Sequence, residues 1–542
     1  MTDFNRVSTK ILRRTFSASA AAALAASGLP AAAQQTPRRG GTLTATWGGF
    51  EPSSCYVPTG GGLGPIFTSS KLFERLARRN MDGSFSGQLA ESWQASPDFR
   101  TYSIAMRRGV LWHDGKEMTA EDIVFSIGEL WKKYANAPAL GDFAGAEAAD
   151  TGTVIVRFAK PMPAPYFAAI ISGSISYIVP RCIYGGSDVM TNPANNAPIG
   201  TGPWKFKQWV RGSHMEFARN EAYWQKEQPY LDRLILRFLR FLRDPASRSA
   251  AMEAGEIQLG VANPTSHPDI KRLTASGRLL ATTQGYSENS WVATLEYNMR
   301  NPLFAKREVR QAIFHAMDRA WIARTIYYGY ARPGTGPIHS DNSEFYIKDT
   351  TRLDFDPAKA AAMLDEAGLP KKADGKSFAV TLAAGGWSAE LAKIGAYAKQ
   401  ALEDIGIGAT LWTGDFQTSI KRIYTDYDFD IAISSQINPT EPVLWTTRFF
   451  TTDGIRKGLP FYNATGYSNA ELDALVEKIR TEIDPARRKA LVGDFQKFTA
   501  HEAVLLPLVE FDSVTLASPA VRNHSNDPNF LAAGWGDLWL AG

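Results

Sequence analysis

The chain has 542 residues, of which 44% are hydrophobic, with 59 Lys and Arg against 55 Asp and Glu for a net charge of +4. That near-balance excludes a nucleic-acid binder that relies on a basic face, and the length exceeds what one hydrophobic core serves, so two or three domains are expected. The N-terminus comes first in chain order. Arg13-Arg14-Thr15-Phe16 precedes an alanine-rich apolar run from Ala18 to Leu29 and a small-residue site at Ala31-Ala32-Ala33. That order of charge, short apolar run and cleavage site predicts a secretory signal of the twin-arginine variety, too weakly apolar to span a bilayer. Removing residues 1–33 takes away four bases and one acid, leaving 55 − 54 = +1 on a mature chain that starts at Gln34, outside the cytoplasm.

Beyond the signal, short strands and capped helices mix without a repeat. Residues 101–107 alternate Tyr102, Ile104 and Met106 on one face, and 153–159 do the same with Val154, Val156 and Phe158. Between them Thr119, with Asp122 three residues on, caps a helix whose buried stripe is Ile123, Ile127 and Leu130. A long helix is predicted over 306–327 with Val309, Ile313, Met317 and Ala320 inward; another opens at Asp356-Pro357 and stops at Gly368. Then follow strand 378–383, helix 390–404, and strands 409–413 and 429–434. Ser468 with Glu471 caps a helix carrying Leu472, Leu475 and Ile479, and Asp484-Pro485 starts the next.

The search for chemistry finds no catalytic or metal pattern. The seven histidines are scattered without His-x-x-x-His or Cys-x-x-Cys spacing, and no nucleophile elbow or phosphate-cradling loop is present. No metal or cofactor is expected, and an exported hydrolase stays as a rival without a residue to name. Cys55 and Cys182 are the two cysteines; an oxidising compartment permits a disulfide, and two buried free thiols fit equally. Fourteen Trp, nineteen Tyr and twenty-nine Phe exceed a core's needs and suit a cleft for a small amphipathic ligand.

A family resemblance rests on blocks in order along the chain. These are Leu89-Ala90-Glu91-Ser92-Trp93, Arg108-Gly109-Val110-Leu111-Trp112-His113-Asp114-Gly115-Lys116, Thr119 to Ser126, Gly200-Thr201-Gly202-Pro203-Trp204, Arg219 to Trp224, Val309 to Ile313 and Met317-Asp318-Arg319. Together they resemble the extracellular solute-binding proteins of family 5, the peptide, nickel and opine binders that serve ABC importers. The resemblance implies an α/β, two-lobe periplasmic binding protein fold of type II, cluster C, with an extra subdomain in lobe I. By order, lobe I would comprise 34–78, 201–292 and 506–542, the subdomain 79–200, and lobe II 293–505. It implies a monomeric periplasmic receptor that closes on a small polar, peptide-like solute and hands it to the membrane permease, with an oligosaccharide or opine as the alternative ligand. Arg310 and Asp318 would form a helix-surface or interlobe ion pair.

Ligand choice is expected at less regular positions. The aspartate that holds the α-amino group in dipeptide-type members maps, in a segment after a strand, onto Asn438 of Ser434-Ser435-Gln436-Ile437-Asn438, and no arginine stands near Gly385-Gly386-Trp387 to grip a carboxylate. Loss of both anchors would cost a zwitterionic dipeptide about 100-fold or more. Ser435, Gln436 and Asn438 would offer neutral hydrogen bonds and Trp387 and Trp412 stacking faces; a shifted alignment recruits Glu441 or Arg448. Trp291 and Asn298, flanking the 292/293 lobe boundary, complete the candidate set.

Overall fold

The computed structural model describes residues 36–542 except 57, 59–61, 136 and 239–244. The predicted signal and the Gln34 start lie outside the described residues. Three sheets organise the rest. A seven-stranded mixed sheet runs in the order Leu280–Thr282, Thr515–Ala517, Leu259–Val261, Thr42–Trp47, Arg233–Arg237, His214–Arg219, Trp204–Val210. A six-stranded mixed sheet runs Ala331–Pro333, Leu505–Phe511, Ser290–Tyr297, Ile431–Asn438, Phe378–Ala384, Ile407–Thr413. A four-stranded antiparallel sheet of Ala90–Ala95, Thr101–Met106, Thr153–Phe158 and Phe143–Asp150 is inserted after the first strand of the seven-stranded sheet. The chain passes between the two large sheets at 283–289 and returns at 512–514, which makes a two-lobed α/β molecule.

Local chemistry accounts for most elements. The Thr119–Asp122 capping box forms, with the Thr119 backbone N–H donating to Asp122 at 2.8 Å, and Asp484 accepts from the Arg487 N–H at the head of helix Pro485–Glu502. Helix Ala389–Asp404 starts at Ser388, whose hydroxyl accepts from the Glu390 N–H, and buries Leu391, Ile394, Ala398 and Leu402 against the six-stranded sheet.

Four expectations are corrected. The helix predicted over 306–327 is broken: Arg307–His315 ends before Asp318, whose side chain caps a new turn at Trp321 and whose N–H donates to the Tyr397 hydroxyl at 2.7 Å. Beyond that break Ala320 is exposed. Arg310 does not pair with Asp318; it is buried, donates to the Phe304 and Glu502 carbonyls, and lies 3.5 Å from the Glu502 carboxylate. The cap of helix Ala470–Thr481 is Asn469, which accepts from Glu471 and Leu472, while Ser468 bonds the Thr452 hydroxyl. Both cysteines are free, as one of the two readings has it, but only Cys55 is buried, its thiol pushed up to about 12 by that burial; Cys182 is exposed rather than buried.

Candidate functional site

The central strand Ser290–Tyr297 is hydrogen-bonded on both sides, by Ile431–Asn438 and Leu505–Phe511, so alternation sends its side chains to two covered faces. Ala293, Leu295 and Tyr297 join Ile431, Ile433 and Leu382 in an apolar core beneath helices Arg307–His315 and Ala389–Asp404. The other face carries Thr294 and Glu296 opposite Ser434 and Ala432, with Gln436 opposite Val292.

This second face is buried and underbonded. Glu296 is 1% exposed; one carboxyl oxygen accepts from the Thr294 hydroxyl at 3.0 Å and from the Gln436 amide at 2.7 Å. Among the described residues its other oxygen, the Gln436 carbonyl oxygen and the Tyr424 hydroxyl make no well-formed hydrogen bond, although Ser434 lies close to Glu296 and both Ser434 and Gln436 lie close to Tyr424. Burial pushes the Glu296 carboxyl up to about 7 against the lowering effect of its hydrogen bonds, and burial together with the Glu296 charge raises Tyr424. An unpaired buried polar atom costs about 1–3 kcal/mol, so three together mark a surface built for a polar guest rather than for stability. Glu74 supplies the contrast. It is also buried and raised to about 7 by burial, yet it accepts from Tyr223 at 2.8 Å, Trp224 at 3.0 Å and Gln88 at 3.1 Å, a closed structural network.

Segment Thr446–Phe449 contacts strand Ile431–Asn438, and its Arg448 lies near Tyr424. Arg448 lies with its guanidinium carbon 3.2 Å from the Trp445 ring centroid and 4.3 Å from that of Tyr462, and makes no ion pair among the described residues. Burial lowers it to about 10, while the neighbouring Tyr462 and Tyr424 act to raise it. Among the described residues its Nε, the Trp445 indole N–H and the Thr446 and Thr447 hydroxyls are also without a hydrogen-bond partner, while the rest of the guanidinium is bonded to Tyr462. Trp387 edges Phe461 at 5.4 Å, and Phe461 meets Tyr424 at 5.6 Å, which closes an aromatic surround. Glu296 lies where the carboxyl end of strand Phe378–Ala384 meets the opening residues of the parallel strand Ile431–Asn438, Ala383 pairing with Ala432.

The predicted residues separate into groups. Residues 434–438 belong to the strand rather than following it, so Ser435 points away from Gln436; its hydroxyl accepts from the Trp387 indole at 2.9 Å. Trp412 is half-buried with Arg422 over its ring at 4.7 Å, and Trp291 stacks on Phe511 at 5.8 Å. Three polar candidates are engaged internally. Asn438 donates to the Pro337 carbonyl at 2.6 Å and accepts from the His339 N–H at 3.1 Å. Asn298 donates to the Tyr427 and Phe429 carbonyls and accepts from Arg300. Glu441 forms a buried bidentate pair with Arg488 at 2.7 and 2.9 Å. Glu296, Tyr424, Trp445 and Tyr462 are additions from the structure. A lone acid in the buried run Val292–Tyr297 is the sequence signal that points to Glu296.

Comparison with known proteins places this geometry. The family described as bacterial extracellular solute-binding proteins, family 5, middle region, matches residues 84–456. The oligopeptide-binding protein AppA of Bacillus subtilis is 27% identical over 424 residues, 73% of each chain. The glutathione-binding protein GsiB of Salmonella choleraesuis is 24% identical over 470 residues, 81% of this chain and 83% of its own. The solved structure of the Bacillus subtilis AppA in complex with a nonapeptide superposes with a TM-score of 0.81 at 22% identity, covering 94% of this chain and all of that one.

Proposed function

The chain belongs to the bacterial extracellular solute-binding proteins, family 5, and from that premise we propose that it is the periplasmic receptor of an ABC importer for peptide-like solutes. It captures its ligand by closing two lobes about the crossings at 283–289 and 512–514 and presents it to the membrane permease. In this reading residues 34–78, 201–292 and 506–542 form lobe I, 79–200 its extra subdomain and 293–505 lobe II. Residues 1–33 are the export signal, and the protein binds without catalysis.

The observation that carries the reading is the convergence of unpartnered buried polar atoms of Glu296, Gln436 and Tyr424 beside an Arg448 flanked by aromatic rings. Arg448 offers a ligand carboxylate or backbone carbonyl a cation without a protein competitor, and the rings of Trp445, Tyr462 and Trp387 offer apolar walls. Trp412, on the face of Ala383 and Tyr424, is a secondary contact, whereas Trp291 alternates onto the opposite face with Ala293 and stacks on Phe511. Asn438, Asn298 and Glu441 hold the scaffold, since their polar groups are already engaged. Calorimetry with di-, tri- and nonapeptides tests the proposal. Saturable binding with compaction in small-angle scattering is expected; peptides of no length binding, with a sugar or opine binding instead, overturns the ligand class.

A further inference from the structure

Glu296 stands apart from the internal bonds that merely hold the fold. Because one of its oxygens receives both the Thr294 hydroxyl and the Gln436 amide N–H, the Gln436 side chain is fixed with its carbonyl oxygen turned away from Glu296. That carbonyl and the second Glu296 oxygen make no well-formed hydrogen bond among the described residues; the second oxygen carries the proton while the carboxyl is neutral and becomes an acceptor once the proton leaves, and the Tyr424 hydroxyl lies against Ser434 and Gln436. A guest with several N–H donors on one centre fits this set. Around Glu296 the strands contribute the neutral Thr294, Ser434 and Gln436, the segment Lys421–Asp426 contributes Tyr424, and Arg448 lies beyond Tyr424; no cation of the protein pairs with the acid among the described residues. Glu296 lies opposite Ala432, six residues along the partner strand from Asn438, a depth that suits a long side chain better than a chain terminus.

We propose that Glu296, Gln436 and Tyr424 form a subsite for a ligand's side-chain ammonium or guanidinium group, and that occupying it drives a proton off Glu296 into solvent. The exchange balances: a neutral carboxyl and a cation become a carboxylate–cation pair plus one released proton. Burial holds the empty carboxyl protonated up to about pH 7, so the release is observable near neutrality. The inference rests on the peptide reading for its ligands but not for its chemistry.

The test is calorimetry of the mature protein near neutral pH in two buffers of different ionisation enthalpy. The probes are N-acetyl-Ala-Lys-Ala, N-acetyl-Ala-Ala-Ala, free Ala-Ala-Ala and butylammonium. The expected result is a preference of about tenfold or more for the lysine peptide over its acetylated alanine counterpart, with proton release for the lysine peptide alone. That ratio should collapse toward one in Glu296→Gln and fall several-fold in Tyr424→Phe, whose retained ring guards against loss of folding. Equal affinity for the two acetylated peptides, or binding without proton release, overturns the proposal. Preference for free Ala-Ala-Ala over both acetylated peptides also overturns it, by assigning the acceptors to an α-ammonium. Should no peptide bind, the peptide reading fails separately; butylammonium raising the melting temperature of the wild type but not of Glu296→Gln then supports the subsite, and no butylammonium effect overturns it.

Discussion

The two faces of the strand Ser290–Tyr297 do opposite things. Ala293, Leu295 and Tyr297 enter a helix-covered apolar core, whereas Thr294 and Glu296, one residue away in each direction, enter a buried face with unpaired acceptors. Burial is nearly equal: Leu295 and Glu296 are each 1% exposed. Burial therefore does not distinguish a stabilising residue from a functional one; the completeness of its partners does. Glu74 and Glu296 repeat the lesson for two acids raised to about the same pKa, one fully bonded and one not.

The comparison can be broken from either side, and the largest effect belongs to the apolar face. Leu295→Ala leaves a cavity under helix Ala389–Asp404 and should cost about 2–5 kcal/mol of stability in denaturant unfolding, with ligand affinity per folded molecule little changed. On the polar face Arg448→Met should reverse the pattern: stability held or slightly raised, since a half-buried cation without an ion pair is removed, and peptide affinity reduced by about 1.5–3 kcal/mol, or tenfold and more, in calorimetry. A third expectation concerns pH. Glu296 has a folded pKa near 7, above the model-peptide value of 4.5, so the folded state binds more protons and stability should fall as pH rises from about 4.5 to 7. Glu296→Gln should remove about 3 kcal/mol of that loss, read by melting temperature across the range, and Glu74→Gln should remove a similar share. The smallest effect is Ser435→Ala, which deletes the acceptor of the Trp387 indole and should cost about 0.5–1.5 kcal/mol.

Local signals in the sequence were sufficient where one turn of chain decides the outcome. Thr119 with Asp122, and Asp484 with Pro485, name their helix starts because donor and acceptor lie three residues apart. The helix expected over 306–327 failed at Asp318, whose N–H is taken by a hydroxyl 79 residues away. Strand 431–438 ran past its expected end because Ser290–Tyr297 pairs with its whole length, and that extension put Ser435 and Gln436 on opposite faces. The family blocks carried the fold but not the site. Glu296, Tyr424, Gln436 and Arg448 are spread over 152 positions, and only the sheet and the segment packed over it bring them together. Asn438 shows the converse, since its polar, strand-end character suited a ligand contact while its bonds go to Pro337 and His339.

A crystal structure of the peptide-loaded protein decides whether Arg448, Gln436 and Glu296 hold the ligand. Peptide oxygens are expected within about 3 Å of the Arg448 guanidinium, with a peptide N–H donating to the Gln436 carbonyl or the second Glu296 oxygen. Peptide held elsewhere in the cleft, with those atoms still unpartnered, would contradict that expectation.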